Sequence, residues 1–150
     1  MEPRRQERAL ALALVLAALA LVGCGGSDGE DPAVPADPAA LDGRSFASTA
    51  VTGRELVPGT TVAISFDGGG LSASAGCNAI FGPYRLAEGR IRVASLGETK
   101  RGCEPDRLAQ DRWLVGFLEA GPEAEAEGEG LTLTGGGATI ELAERDPEGS

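Results

Sequence analysis

From Leu41 to Arg145, glycine interrupts the chain about every ten residues, a spacing that suits short strands joined by tight turns and leaves no room for long helices. Between the glycines, apolar residues alternate. "TTVAISF" (60–66) places Val62, Ile64 and Phe66 on one face, and "DGGG" (67–70) turns the chain into "LSASAGC" (71–77), which predicts a hairpin. "YRLAEGRIRVASL" (84–96) repeats the pattern, with Glu88 and Gly89 at the bend and Ile91 and Val93 alternating against Arg90 and Arg92. "GLTLTGGGATIEL" (130–142) repeats it again, with "GGG" separating Leu131 and Leu133 from Ile140 and Leu142.

One segment departs from this pattern. In "PDRLAQDRWLVGFLEAGP" (105–122), Trp113, Leu114, Phe117 and Leu118 recur at helical spacing. Pro105 suits a first helical position, and Gly121 followed by Pro122 suits a stop. Trp113 on this stripe is read as core rather than as a ligand platform. In "EAEAEGE" (123–129) the glutamates share one strand face, with Ala124 and Ala126 on the other, and the reading is a solvated edge strand.

Upstream of the domain the sequence changes character. Residues 3–8, "PRRQER", are basic, and residues 9–22 are an unbroken apolar run of 14 residues. A helix needs about 20 residues to cross a bilayer, so the run fits the core of an export signal better. "LVGC" (21–24) resembles the bacterial lipobox. That resemblance implies cleavage between Gly23 and Cys24 and lipidation of Cys24, whose thiol takes a diacylglycerol as a thioether. Residues 1–23 are thus expected to be a signal peptide. Residues 24–40 are expected to be the lipidated cysteine and a flexible linker, because "GGSDGEDPAVPADPAA" has a single Val and no aromatic residue to bury. The domain is placed at 41–145 and a short tail at 146–150.

The chain's formal net charge of −10, which becomes about −11 once residues 1–23 are removed, argues against nucleic acid and against anionic lipid headgroups as partners. Histidine is absent, which removes the common base for a Ser or Cys nucleophile and the commonest transition-metal ligand. Lys100, the one lysine, shows no sign of a desolvated setting in "ETKRGC". No catalytic residue, metal site or cofactor is assigned.

With Cys24 taken by lipid, Cys77 and Cys103 remain. They are too few for a structural zinc site and too far apart for a redox CxxC. An oxidising compartment favours a disulfide between them, and closing that loop contributes about 3.5 kcal/mol; a free reactive thiol is the alternative.

"GCNAIFGPYRL" (76–86), "GETKRGC" (97–103) and "WLVGFLEA" (113–120), in that order, resemble the META domain, the heat-shock HslJ-like family of small bacterial envelope proteins. The residues that carry the resemblance are Gly76, Cys77, Asn78, Phe81, Gly82, Tyr84, Thr99 and Cys103. "LDGRSF" (41–46) resembles the family's opening strand, with Phe46 where tryptophan is usual. Arg101 and Gly102 stand where Met and Ala are frequent. The resemblance implies an α+β fold: a mostly antiparallel, strongly curved sheet, close to a half-barrel, with one amphipathic α-helix. It also implies links to heat shock, antibiotic tolerance and envelope integrity without an established reaction.

The sequence therefore leads to a non-enzymatic binding or stabilising module, monomeric and extracytoplasmic. It is held by its lipid anchor in the cell membrane, or in the outer membrane of a diderm, and meets an unknown envelope protein or lipid. The alternative is a pilotin-like carrier of an acyl chain or partner segment. A hydrolase using paired carboxylates ranks last.

Overall fold

The computed structural model describes residues 34–146. Residues 1–23, expected to be a signal peptide, Cys24, the first part of the expected linker and the tail from 147 lie outside the described residues. The elements in chain order are β1 (Val34–Pro35), α1 (Pro38–Leu41), β2 (Ser45–Thr52), β3 (Ala63–Asp67), β4 (Gly70–Ser74), β5 (Ala79–Ala87), β6 (Arg90–Val93), β7 (Gly97–Glu98), α2 (Pro105–Glu119), β8 (Glu123–Glu127), β9 (Gly130–Gly135) and β10 (Ala138–Glu144).

The three predicted hairpins form at the glycines. Gly68 and Gly69 take φ of 53° and 81°, and Gly136 and Gly137 take 56° and 77°. Two successive left-handed residues give a type I′ turn, whose twist matches that of the strands it joins. At the β5–β6 turn Glu88, at φ 55°, fills the first of these positions ahead of Gly89.

Alternation then decides what is buried. Phe46, Val62, Ile64, Phe66, Ile80, Ile91, Leu131, Leu133 and Ile140 all point inward and are almost wholly buried. Each large side chain removed from water in this way contributes roughly 1.5–3 kcal/mol. Phe66 sits at the centre, edge-on to Phe46 at 6.1 Å and tilted against Tyr84 at 4.9 Å.

The strands pair antiparallel in the order β8-β6-β5-β4-β3-β2-β10-β9, and β9 pairs back onto β8. The sheet is therefore a closed eight-stranded barrel, which corrects the expected half-barrel. Closure depends on the acidic stretch read as a free edge. β8 pairs with β9 from Glu123↔Thr134 to Glu127↔Gly130, and with β6 at Arg90↔Glu123. Its glutamates face outward as the alternation predicts, while Ala124 is buried. At the narrow β6–β8 seam, Arg90 donates to Glu123 at 2.5 Å and to the Gly121 carbonyl at 2.7 Å.

A second correction concerns the linker. Val34 and Pro35 pair with Ala126 and Glu125, and Ala36 N–H donates to the Ala124 carbonyl at 2.9 Å. Asp37 then caps α1 by accepting from Ala39 N–H at 2.8 Å, which delivers Leu41, fully buried, into the core. The end of the segment expected to be flexible is thus part of the fold. Backbone pairing of this kind needs no apolar side chain, so composition does not reveal it.

α2 begins at Pro105 as predicted and is followed by Gly121 at φ 74°. Leu114, Phe117 and Leu118 are buried, and Trp113 is half-buried against Phe117 at 5.8 Å with the Arg54 guanidinium over its ring. Among the described residues there are two helices rather than one, and the buried face of α2 also carries Gln110 and Asp111. No helix among the described residues is long and apolar enough to cross a membrane.

Candidate functional site

The chemistry-bearing residues of the sequence meet at the corner between β4 and β5. Gly76 turns the chain there with φ 113°, and a Cβ at this position would lie 2.7 Å from Thr60 Cγ2. Both the backbone conformation and the space call for glycine. Cys77 follows and is bonded to Cys103, with Cα atoms 6.2 Å apart, which ties the corner to the residues just before α2. The expected disulfide is present, and neither sulfur is available as a thiolate.

Asn78 is hydrogen-bonded through its backbone and through both ends of its side-chain amide. Its backbone N–H and its Nδ2 both donate to Asp111 Oδ2, at 2.8 and 3.0 Å. Its Oδ1 accepts from Thr99 Oγ1 at 3.0 Å and from Arg101 N–H at 2.8 Å. Thr99 Oγ1 accepts in turn from Ala79 N–H at 3.1 Å. One asparagine thus joins α2, the start of β5 and the segment that leads to Cys103.

One helical residue earlier, Gln110 is fully buried. Its Oε1 accepts from Val57 N–H at 2.6 Å, and its Nε2 donates to Thr60 Oγ1 at 2.8 Å and to the Ala75 carbonyl. Gln110 and Asp111 escaped the sequence reading. The stripe of Leu114, Phe117 and Leu118, extended back by one turn, reaches both residues, and this was the available signal.

The remaining motif residues are spread along β5. Gly82 lies inside the strand, and glycine is required because a Cβ would overlap the Ser95 carbonyl oxygen. Phe81 is 50% exposed and lies across Gly97, while Tyr84 packs on Phe66. Burial raises the Tyr84 hydroxyl above its ordinary pKa, and the nearby Asp42 carboxylate raises it further. Lys100 is exposed and paired with Glu98 at 2.9 Å.

No cluster of three or more metal-ligating side chains occurs among the described residues. Asp111 Oδ1 is buried without a hydrogen-bond partner. Among the described residues, clefts open on the outside of the barrel. One of about 390 Å³ lies between β7 and α2, lined by Leu96, Glu98, Lys100, Arg112 and Val115. Another of about 380 Å³ lies where α1, the β3–β4 turn and β5 meet, and includes Asp42 and Tyr84.

The family model described as the META domain matches residues 39–147, taking in the corner, the disulfide and α2. The chain belongs to the META domain family. An NMR structure of a protein from Burkholderia xenovorans matches this META domain with a TM-score of 0.64 and 21% identity, covering 78% of this chain and 92% of that one. A second NMR structure matches with a TM-score of 0.61 and 23% identity, over 72% of this chain and 94% of the other. At these identities the likeness concerns the fold alone. Among curated proteins none matches significantly. In this META domain, then, Gly76, Cys77, Asn78, Thr99 and Cys103 converge on one corner, whereas Phe81, Gly82 and Tyr84 line up along β5.

Proposed function

We propose that the chain is a non-enzymatic binding or stabilising module of the bacterial cell envelope, exported by residues 1–23 and held by a lipid anchor on Cys24. The observation that carries this reading is the corner. Its cysteines are bonded to each other, and Asn78 and Thr99 are occupied by hydrogen bonds within the fold. Residues that would supply a nucleophile or an amide donor brace the barrel instead.

The disulfide supports an oxidising, extracytoplasmic setting. A monomeric module linked to stress or antibiotic tolerance belongs to the same reading, as does the absence of a nucleic-acid partner from a chain of net charge −10. The acyl-carrier alternative draws less support, because Phe46, Phe66, Ile64, Ile80 and Leu133 fill the barrel interior. Contacts with a partner fall to the outer clefts.

Fractionation of producing cells tests the proposal. The wild-type chain should sediment with membranes and be released by detergent, and Cys24→Ala protein should be soluble with unchanged circular dichroism. Cys24→Ala protein that stays with the membrane overturns the anchor.

A further inference from the structure

Arg85 on β5 and Arg92 on β6 are direct cross-strand neighbours. The adjacent cross-strand pair is Leu86 and Ile91, which packs into the core. Alternation therefore sets both arginines on the outer face of the barrel. Like charges placed opposite each other on paired strands are unfavourable. Carboxylates are plentiful in this chain, with 23 Asp and Glu against 13 Lys and Arg. Three other cations are matched in the ordinary way, Arg44 by Glu144, Arg90 by Glu123 and Lys100 by Glu98, while Arg54, Arg101, Arg107, Arg112 and Arg145 lack such a partner among the described residues. Arg85 and Arg92 differ from these in facing each other across paired strands. Among the described residues neither Arg85 nor Arg92 has a carboxylate oxygen within 4.0 Å.

The two arginines line one open cleft of about 200 Å³, together with Pro83, Tyr84, Val93 and Ala94. The fold also makes room for one guanidinium. Arg92 lies across Gly121, where a Cβ would be 2.8 Å from its Nη1.

We propose that this cleft binds a single phosphate group between the guanidinium groups of Arg85 and Arg92. A guanidinium matches two phosphate oxygens at once, and two of them over one small cleft match the charge of a phosphate that the chain's own carboxylates leave unfilled. The volume admits one phosphate and the first atoms of its substituent. The net charge of −10 turns away long polyanions. A phospholipid headgroup and a soluble phosphate ester present the same chemistry here. The site gives the proposed module a ligand class, and it rests on that reading only for where the ligand is met.

The full chain carrying Cys24→Ala, and so free of the anchor, is titrated with inorganic phosphate against chloride at equal ionic strength. Arginine side-chain NMR signals and the thermal midpoint are followed. Saturable shifts at Arg85 and Arg92 and a rise in midpoint are expected. The double variant Arg85→Gln/Arg92→Gln should lose about tenfold or more in affinity. Without phosphate its midpoint should equal or exceed that of the parent, because the repulsion is gone. Arg112→Gln, in another cleft, should behave as the parent. Sedimentation with phosphatidylcholine vesicles, which present the phosphate without a net surface charge, assigns it to a headgroup if the double variant loses it, and phosphate binding without sedimentation assigns it to a soluble ester. Absence of a saturable shift, or equal weakening by Arg112→Gln, overturns the site. Either result leaves the Cys24 fractionation, and with it the envelope reading, standing.

Discussion

Replacing Asp111 by Ala removes the shared acceptor of two hydrogen bonds, from Asn78 N–H at 2.8 Å and from Asn78 Nδ2 at 3.0 Å. Bonds to a charged group contribute about 1.5–3 kcal/mol each. Both donors would be stranded at a residue only 4% exposed. Against this loss, Asp111 Oδ1 is buried without a partner, and removing it relieves about 1–3 kcal/mol of desolvation. The net expectation for Asp111→Ala is a loss of about 3 kcal/mol. Asp111→Asn is expected to stay within about 1 kcal/mol of the wild type, because its amide oxygen keeps both donors and the unpartnered buried charge disappears. Urea unfolding followed by the fluorescence of Trp113, the single tryptophan, measures both, with an unchanged m-value confirming that stability itself has moved. A loss under about 1 kcal/mol for Asp111→Ala refutes the reasoning, as does an Asp111→Asn variant as unstable as the alanine one. Combining Asp111→Ala with Asn78→Ala should cost less than the sum of the two, by about 1–2 kcal/mol, since both remove the bond from Asn78 Nδ2 to Asp111 Oδ2.

Gly76→Ala forces a side chain into a left-handed backbone and onto Thr60, so the same urea assay should show a loss of about 2–4 kcal/mol. Replacing Cys77 and Cys103 together by Ser should cost about 3.5 kcal/mol, with an intact helical signature at low denaturant. Tyr84 is the only tyrosine, so near-ultraviolet phenolate absorbance reads it alone, and it should titrate above its ordinary value of 10.0 in the folded chain. Because the folded pKa is the higher one, the stability tied to its proton is complete below the unfolded value and is lost as pH rises through the folded one. Asp42→Asn should lower the Tyr84 titration, and no movement would show that Asp42 does not act on it.

The parts of this fold legible in the sequence are those fixed by local rules. "DGGG" and "GGG" could form only tight turns, and Trp113, Leu114, Phe117 and Leu118 could share a face only on a helix. Closure of the barrel was hidden because the same alternation in "EAEAE" serves equally for an edge strand or a paired one, and only its partner β9 decides between them. The hydrogen-bond partners of Gln110 and Asp111 were hidden for a related reason. Each of these two side chains answers a polar group elsewhere in the chain, Val57 N–H, the Ala75 carbonyl and Asn78, and those demands arise only once the barrel has formed. The cysteine pair was legible by elimination, whereas the hydrogen bonds around Asn78 depend on three segments meeting and were not.

The most direct test of the whole account is the intact mass of the chain isolated from the membranes of producing cells, before and after reduction. A chain that begins at Cys24, carries the mass of a diacylglyceryl group and a further acyl chain, and gains two hydrogens when Cys77 and Cys103 are reduced is the predicted result. An unlipidated N-terminus, or a mass that reduction does not change, contradicts it.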